Sequence, residues 1–208
     1  LLDSMVALND PRVPVYAQPV VSDTIFPNGY GGMPNGLEQS DAVNWGNPSS
    51  RPGVIFYPGG TAYGTYGTAA GMATPSYLMT YAEVLFIKAE AAERSLGGLN
   101  PAEAEADYDA AIVASMHQWG ITDAAAINAY LAQPAVAYKG GTAGLKQIAW
   151  QKWVALFTDG GQAWSEWRRT CIPVIHPGPA AVLDYVPRRY LYSTTEQSVN
   201  ATNLSAAI

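Results

Sequence analysis

Several features that define common classes of protein are scarce in this sequence of 208 residues. Only 13% of the residues are charged, about half the usual share of roughly 25%. The 11 Lys and Arg against 17 Asp and Glu give a formal net charge of −6, which argues against a nucleic-acid binder, because that class needs clustered cations on phosphate. A single cysteine excludes a disulfide framework and a zinc site built on cysteines.

Long apolar runs are missing as well. No uninterrupted stretch approaches the ~20 residues that span a bilayer, and the most apolar one, Tyr77 to Ala92, contains Glu83, Lys88 and Glu90. The sequence begins at Leu1 without an export signal, and we expect it to be a piece of a longer protein. Apolar residues nevertheless make up 49% of it, which is too many for a mainly disordered chain.

Motifs for catalysis and metal binding are also absent. The sequence has no G-x-S-x-G motif, phosphate loop or dinucleotide fingerprint. Its two histidines, His117 and His176, lack the spacing of metal ligands. The sequence therefore predicts no metal, no cofactor and no enzymatic activity.

The composition changes near residue 75. Residues 1–75 hold 11 Gly and 9 Pro, whereas the rest of the chain holds only 15 such residues. Turn signals follow one another closely, and short extended pieces are predicted at Val13 to Tyr16 and Val54 to Tyr57. We therefore predict a loop region rich in Gly, Pro and aromatic residues, with short strands, over residues 1–75.

Residues 76–208 carry helical periodicity. The face predicted for the first helix consists of Leu78, Tyr81, Ala82, Leu85, Ala89 and Ala92. Asn100, Pro101 and Glu103 form the start signature of a second helix, which Gly120 ends. Shorter helices are expected from Thr122 or Asp123 to Leu131, from about Gly144 to Phe157, from Gly161 to Arg168, and from Thr194 towards Asn203.

The first two helices form a hairpin of about one tetratricopeptide unit, which has ~34 residues. The predicted fold is therefore mainly α, with tetratricopeptide-like helical hairpins, a long Gly/Pro-rich loop region and few short strands. Repeats of this kind need ~3 copies for stability. We expect residues 1–75 and 76–208 to be parts of one domain that extends N-terminally beyond this chain.

Six pieces of sequence, in this order, resemble the C-terminal half of the SusD/RagB family. They are Asp10-Pro11-Arg12; the Gly-rich run 29–36; Tyr81 to Ala91 with Tyr108 to Ile112; Gln151 to Phe157; Glu166 to Thr170 with Pro173; and Val186 to Tyr190 with Glu196 and Asn200. Cys171 departs from the family, which commonly has Gly after the Arg-Arg-Thr run.

The resemblance implies a surface lipoprotein of Bacteroidetes-type bacteria. Such a protein binds oligosaccharides, or other oligomeric nutrients such as peptides, outside the outer membrane and passes them to a SusC-like TonB-dependent transporter. It also implies a lipid anchor on an N-terminal Cys that this chain does not contain. Ligand contacts vary between members, so no ligand-binding residue follows from the resemblance.

Charged residues inside apolar helices need partners. Glu83 and Glu90 lie on one helical face, about two turns apart. Arginine offers a planar fork of five donors that can join carboxylates and loop carbonyls. We therefore predict a structural ion-pair network of Glu83 and Glu90 with Arg168, Arg169, Arg188 and Arg189.

Aromatic residues in the loop region are the candidate ligand contacts. Flat rings pack against the C–H faces of sugars, while neighbouring polar groups bond to sugar hydroxyls. The loop region places such rings beside Asn and Thr side chains. The candidates are Trp45, Tyr57, Tyr63 and Tyr66.

The sequence thus predicts a passive glycan-capture protein, with two alternatives open. One is a glycan hydrolase that uses carboxylates such as Asp159 and Glu166. The other is a helical-repeat adaptor that binds only protein.

Overall fold

The computed structural model describes residues 1–20, 26, 29–46, 49–53, 56 and 75–207. The described residues of the first part of the chain include three short helices: α1 (Leu2–Ala7), α2 (Val13–Tyr16) and α3 (Gln39–Gly46). Seven follow in the second part: α4 (Tyr81–Glu93), α5 (Ala104–Gln118), α6 (Ala124–Leu131), α7 (Gly141–Ala155), α8 (Gly160–Thr170), α9 (Thr194–Val199) and α10 (Ala201–Ala207). The prediction of a mainly α fold is confirmed.

Both helices of the α4–α5 hairpin begin at a capping side chain, and the cap of α5 is the predicted one. Thr80 caps α4 by accepting a hydrogen bond from the Glu83 backbone N–H. Asn100 and Glu103 form a capping box at the 3₁₀ turn Pro101–Glu103, which leads directly into α5. Gly120 follows α5 with φ +78°, a conformation that residues with a Cβ rarely adopt. Local chemistry therefore sets where both helices begin and where α5 ends.

Small residues let α4 and α5 pack closely. Ala89 and Ala92 of α4 and Ala111 of α5 are fully buried, and α4 also packs against α7. The cluster around them contains the larger side chains Phe86, Tyr108, Ile112, Met116, Ile127, Tyr130 and Ile148. Burying such side chains stabilises the fold by about 1.5–3 kcal/mol each.

The beginning of α4 corrects part of the predicted buried face. Leu78 and Tyr81 were expected on that face, but Leu78 precedes the helix and both side chains are exposed. Ala82 and Glu83 in the first turn of α4 are buried, whereas Tyr81 faces outwards with 71% of its surface exposed. From Ala82 onwards the predicted face is buried.

The predicted extended piece Val13 to Tyr16 is wrong, because these residues form α2. The Asp10 carboxylate accepts a hydrogen bond from the Arg12 backbone N–H, and this turns the chain. The Arg12 carbonyl then accepts from the N–H groups of Val15 and Tyr16. In the described ranges the only extended pairing is an isolated antiparallel bridge between Ala17 and Pro52.

The N-terminal segment docks on the helical part through a second apolar cluster. Met5, Val13, Tyr16, Trp119 and Val154 form its buried centre. The Tyr16 ring stacks on Phe157 at 3.9 Å, and its hydroxyl donates to the Val154 carbonyl at 3.1 Å. Burial raises the pKa of Tyr16 to about 12.

A fully buried arginine joins this segment to three helices. Arg12 has 0% exposure and forms an ion pair with Asp10, with 2.7 Å between Nη2 and Oδ2. It also donates to Ser115 of α5, Tyr130 of α6 and Gln151 of α7. Because the buried guanidinium has a counter-charge and several acceptors, its burial is compatible with a stable fold.

The last third of the chain differs from the predictions only at helix boundaries. Asp123 caps α6 as expected, α7 begins at Gly141, and α8 is longer than the predicted turn. Ser193 caps α9 instead of Thr194. The helix expected near the end is divided into α9 and α10.

Candidate ligand-binding site

An aromatic pair, formed by Phe26 and by Trp45 near the end of helix α3, lies at the first predicted ligand contact. The rings of Phe26 and Trp45 have centroids 6.0 Å apart and planes inclined by 49°. Both residues are half-buried, and Asn44 beside Trp45 is exposed. The pair therefore combines an accessible apolar surface with a neighbouring amide, the combination that suits binding of a polar ligand with apolar faces.

The Phe26 ring lies directly on Gly31. A Cβ added to Gly31 would collide with three carbon atoms of that ring, so only glycine allows this approach without a shift. Backbone bonds hold Gly31 in turn: its carbonyl accepts from the Ser50 N–H at 2.8 Å, and its N–H donates to the Ser50 hydroxyl at 3.1 Å. The Trp45 carbonyl accepts from the Ser49 N–H at 3.1 Å.

The loop is also attached to the helical part of the molecule. Val20 donates to the Gly29 carbonyl, Gln18 donates to the Arg51 carbonyl, and Gly53 donates to the Tyr16 carbonyl, all at 2.8–2.9 Å. Since Tyr16 is buried against Trp119 and Phe157, these three hydrogen bonds connect the loop to the second apolar cluster.

The other three predicted ligand contacts, Tyr57, Tyr63 and Tyr66, lie outside the described residues. The structure therefore locates one of the four candidates, Trp45. It also adds Phe26, which the sequence analysis did not select. The signal that could have found it is Gly31 in the Gly-rich run, a position where an aromatic ring can approach the backbone.

A cleft of about 580 Å³ lies where α4 begins and α5 ends. Its lining includes Tyr77, Thr80, Tyr81, Val113, Ala114 and His117. No Asp, Glu, Lys or Arg is among the described residues that line it. Sequence analysis missed this cleft, because Tyr81 was expected to be buried.

Charged side chains form a network that joins α4, α7 and α8. Arg169 donates to both carboxylate oxygens of Glu90 at 2.6 Å and to Glu166 at 2.5 Å. Lys152 donates to the other oxygen of Glu166 at 3.0 Å, and Arg94 donates to Glu90 at 2.9 Å. Each of the two carboxylates is thus held by two cations.

The electrostatic state of Glu90 follows from this network. Partial burial acts to raise the pKa of Glu90, but hydrogen bonds and charge attraction from Arg169, reinforced by Arg94, lower it below the ordinary value. Glu90 is therefore fixed as a carboxylate. A group in that state cannot donate a proton near neutral pH, so it is unsuited to act as a general acid.

The network differs from the predicted one in its membership. Of the six predicted residues, the structure brings together Glu90 and Arg169. Glu83 is buried and forms no ion pair within the described part of the chain. Arg168 is exposed, Arg188 donates to the Cys171 sulfur, and Arg189 lies 4.5 Å from the centre of the Tyr192 ring.

Three members of the network were not predicted to belong to it: Arg94, Lys152 and Glu166. For two of them, the sequence contains a feature that could have indicated an ion pair. Lys152 follows Gln151 within an otherwise apolar helical face, and a cation there requires a partner. Glu166 precedes Arg169 by three residues, which places the two side chains next to each other on a helix.

Two absences in the described part of the chain concern metal binding and membrane insertion. Across the described ranges, no three His, Cys, Asp or Glu residues come together as a group that could hold a metal ion. None of the helices that the structure describes has the length and apolar character to cross a membrane.

Comparison with known proteins gives a family match and several related structures. Residues 1–193 match the SusD-like family model described as "Starch-binding associating with outer membrane". A SusD-like protein of Bacteroidetes AC2a is 23% identical with a TM-score of 0.63, and the match covers 99% of this chain and 49% of that one. A chitin-binding protein is also 23% identical, with a TM-score of 0.71 and coverage of 99% and 44%.

A third solved structure, a SusD homolog from Bacteroides thetaiotaomicron VPI-5482, is 25% identical with a TM-score of 0.63. Its match covers 98% of this chain and 45% of the homolog. The chain thus spans less than half the length of these three proteins. No curated protein sequence matches it.

Proposed function

Since the chain belongs to the SusD-like family, we propose that it takes part in binding glycans or other oligomeric nutrients at the surface of a bacterial cell. The observation that carries this proposal within the molecule is the half-buried Phe26–Trp45 pair, held on Gly31 in the loop region. The family description and the chitin-binding relative both support a carbohydrate as the ligand.

The proposed mechanism is binding without bond cleavage. The carboxylates considered for hydrolysis are already engaged: Asp159 caps α8 by accepting from the Gln162 N–H, and Glu166 is held by Lys152 and Arg169. Glycoside hydrolysis needs two free carboxyl groups across a cleft, one of them with a raised pKa. The hydrogen bonds and ion pairs of Asp159 and Glu166 instead give both carboxylates a structural role.

The test is a titration of the purified chain with maltoheptaose, chitohexaose and a neutral β-glucan oligosaccharide, each in turn. Binding is monitored by calorimetry and by tryptophan fluorescence. We expect at least one of these glycans to bind. Trp45→Ala should weaken binding by about fivefold or more, because loss of a central aromatic contact costs more than about 1 kcal/mol. Trp45→Phe should retain part of the affinity.

Trp164→Ala is the matched control. Trp164 is also a partly exposed indole, paired with Trp167 at 5.1 Å on α8, and its removal should leave binding unchanged. The proposal fails if Trp45→Ala remains folded by circular dichroism and binds as tightly as the original chain. Release of reducing ends during the titration would instead favour a hydrolase, and binding to no glycan would favour a protein adaptor.

We further propose that the ligand is passed to a SusC-like TonB-dependent transporter, from a lipid-anchored position on the extracellular face of the outer membrane. The support is the family description, which places its members in association with that membrane. Proteinase K treatment of intact cells tests the location: the protein should be degraded without lysis. Co-purification with a barrel transporter from detergent extracts tests the partner, and survival of the protein in treated cells would contradict the extracellular position.

A further inference from the structure

Helix α3 places a carboxylate beside the aromatic pair of Phe26 and Trp45. Asp41 lies one turn before Trp45 on this helix and is exposed. Side chains four residues apart are neighbours on a helix surface, with about 5–6 Å between their Cβ atoms. A ligand that covers the Trp45 ring therefore comes close to the Asp41 carboxylate.

This carboxylate is not matched by a cation of the chain. Among the residues that the structure describes, none forms a hydrogen bond or an ion pair with the Asp41 side chain. The same holds for the side chain of Glu38, which is exposed in the turn before α3. The first half of α3 therefore presents uncompensated negative charge next to Trp45.

The loop region around the pair contains few cations that could reverse this charge. Residues 1–75 have no lysine and only two arginines, Arg12 and Arg51, against five acidic residues. Arg12 is fully buried and paired with Asp10, and Arg51 is already engaged in an interaction of its own. The loop region is therefore anionic overall, and a ligand with negative groups meets repulsion there.

Asp41 also has a structural role, which must be separated from an effect on the ligand. A carboxylate in the first turn of a helix is stabilised by the positive end of the helix dipole. Asp3 occupies the equivalent position in α1, and it is exposed as well. What distinguishes Asp41 is the accessible indole four residues later, so Asp3 provides a reference for the structural contribution alone.

We propose that Asp41 selects the charge of the ligand, so that the aromatic pair binds neutral glycans and rejects glycans that carry carboxylates or sulfates. This inference rests on the function proposed above. Two like charges about 6 Å apart weaken binding about threefold even at the dielectric constant of water, and more strongly near a protein surface. Specificity of this kind comes from repulsion of the wrong ligand, without an added contact to the right one.

The experiment measures the affinity of the purified chain for three series of oligosaccharides, built on maltoheptaose, chitohexaose and cellohexaose. Each series contains the neutral compound, a form oxidised to the carboxylate at C6 and a form with an amino group at C6. Calorimetry at about pH 6 and about 10 mM salt keeps carboxylates ionised and amines protonated, and it limits screening. We expect the acidic form to bind at least about threefold more weakly than the neutral form, and the amino form at least as tightly as the neutral one. The differences should shrink at about 1 M salt.

Asp41→Asn keeps the size of the side chain and removes its charge. This variant should bind the neutral form as the original chain does and should lose most of the discrimination against the acidic form. Asp3→Asn is the matched control, because Asp3 is also an exposed aspartate in the first turn of a short helix. It should retain the full discrimination, and thermal melts should show that both variants fold.

The proposal is overturned if the acidic and neutral forms bind equally well to the original chain. It is also overturned if Asp41→Asn weakens both forms equally, because Asp41 would then bind sugar hydroxyls or support the fold. Tighter binding of the acidic form would overturn it as well, since Arg51 would then determine the charge of the ligand. Binding of neutral glycans without discrimination leaves the proposed function intact, whereas binding of no member of any series overturns both.

Discussion

Asp10→Asn should destabilise the fold more than any other single loss of charge considered for this molecule. The substitution keeps the size of the side chain and removes the charge that faces Arg12. Arg12 would remain at 0% exposure with neutral acceptors only, at Ser115, Tyr130 and Gln151. Removing one partner of a buried ion pair costs about 3–5 kcal/mol.

That cost is a large share of the free energy of unfolding, which is about 5–15 kcal/mol for a typical domain. For a chain of this size, about 1 kcal/mol corresponds to about 2–4 °C in Tm. We therefore expect Tm to fall by about 6–20 °C. The assays are thermal unfolding for Tm and urea unfolding for the free energy, both monitored by tryptophan fluorescence, since Trp119 lies in the cluster that the N-terminal segment completes.

Asp3→Asn supplies the control, because Asp3 is an exposed residue of α1 and its substitution removes the same charge. Its effect should remain within about 0.5 kcal/mol. A double variant, Asp10→Asn with Arg12→Met, should recover part of the lost stability, since an uncharged buried pair needs no counter-ion. Equal and small effects of Asp10→Asn and Asp3→Asn would refute the argument, because they would mean that the Arg12 charge is solvated in the folded protein.

Three further predictions concern charge, capping and ionisation. Glu90→Gln should lower the free energy of unfolding at pH 7 by about 1 kcal/mol or less. Because the pKa of Glu90 is lowered in the folded state, the original chain should lose this contribution as pH falls below the usual glutamate range. Urea unfolding from pH 7 to pH 3 should therefore show a shallower decline in stability for the variant. Asn100→Ala should cost about 1 kcal/mol in the same assay at neutral pH, because it removes one half of a capping box. Because burial raises the pKa of Tyr16 to about 12, this tyrosine ionises more readily in the unfolded chain. The free energy of unfolding should therefore fall as pH rises from about 10 to about 12, by about 1.4 kcal/mol per pH unit for each such tyrosine. Tyr16→Phe should make that slope shallower.

The helices that sequence predicted best are those with local signals at their ends. Asn100, Pro101 and Glu103 determine the start of α5 through bonds within one turn, so no knowledge of the rest of the fold was needed. The region of α2 was predicted incorrectly because its first turn depends on the Asp10 carboxylate, which is fixed by a buried arginine. Four residues rich in Val supply no periodicity that could distinguish the two conformations.

The candidate site was predictable in residue type but not in arrangement. Trp45 was selected because loop aromatics suit sugar binding, and the structure places it in an accessible pair. Its partner Phe26 depends on the contact with Gly31, which only the folded loop defines. The same limit applies to Arg169, whose choice of Glu90 depends on how α8 crosses α4.

The low charge of the chain and its proposed ligand-binding surface have one physical explanation. Several charged residues are paired within the fold: Arg12 with Asp10, Lys152 with Glu166, and Arg169 with Glu90. Such pairs fix the positions of helices and loops, because a desolvated charge tolerates few alternative arrangements.

The surface proposed for ligand binding, the Phe26–Trp45 pair, is aromatic and borders on neutral polar groups. A neutral sugar can be held there by stacking and hydrogen bonds. This mode of binding needs no formal charge on the ligand. A chain that binds a neutral ligand therefore needs few charged residues, and those named above form ion pairs that stabilise the fold.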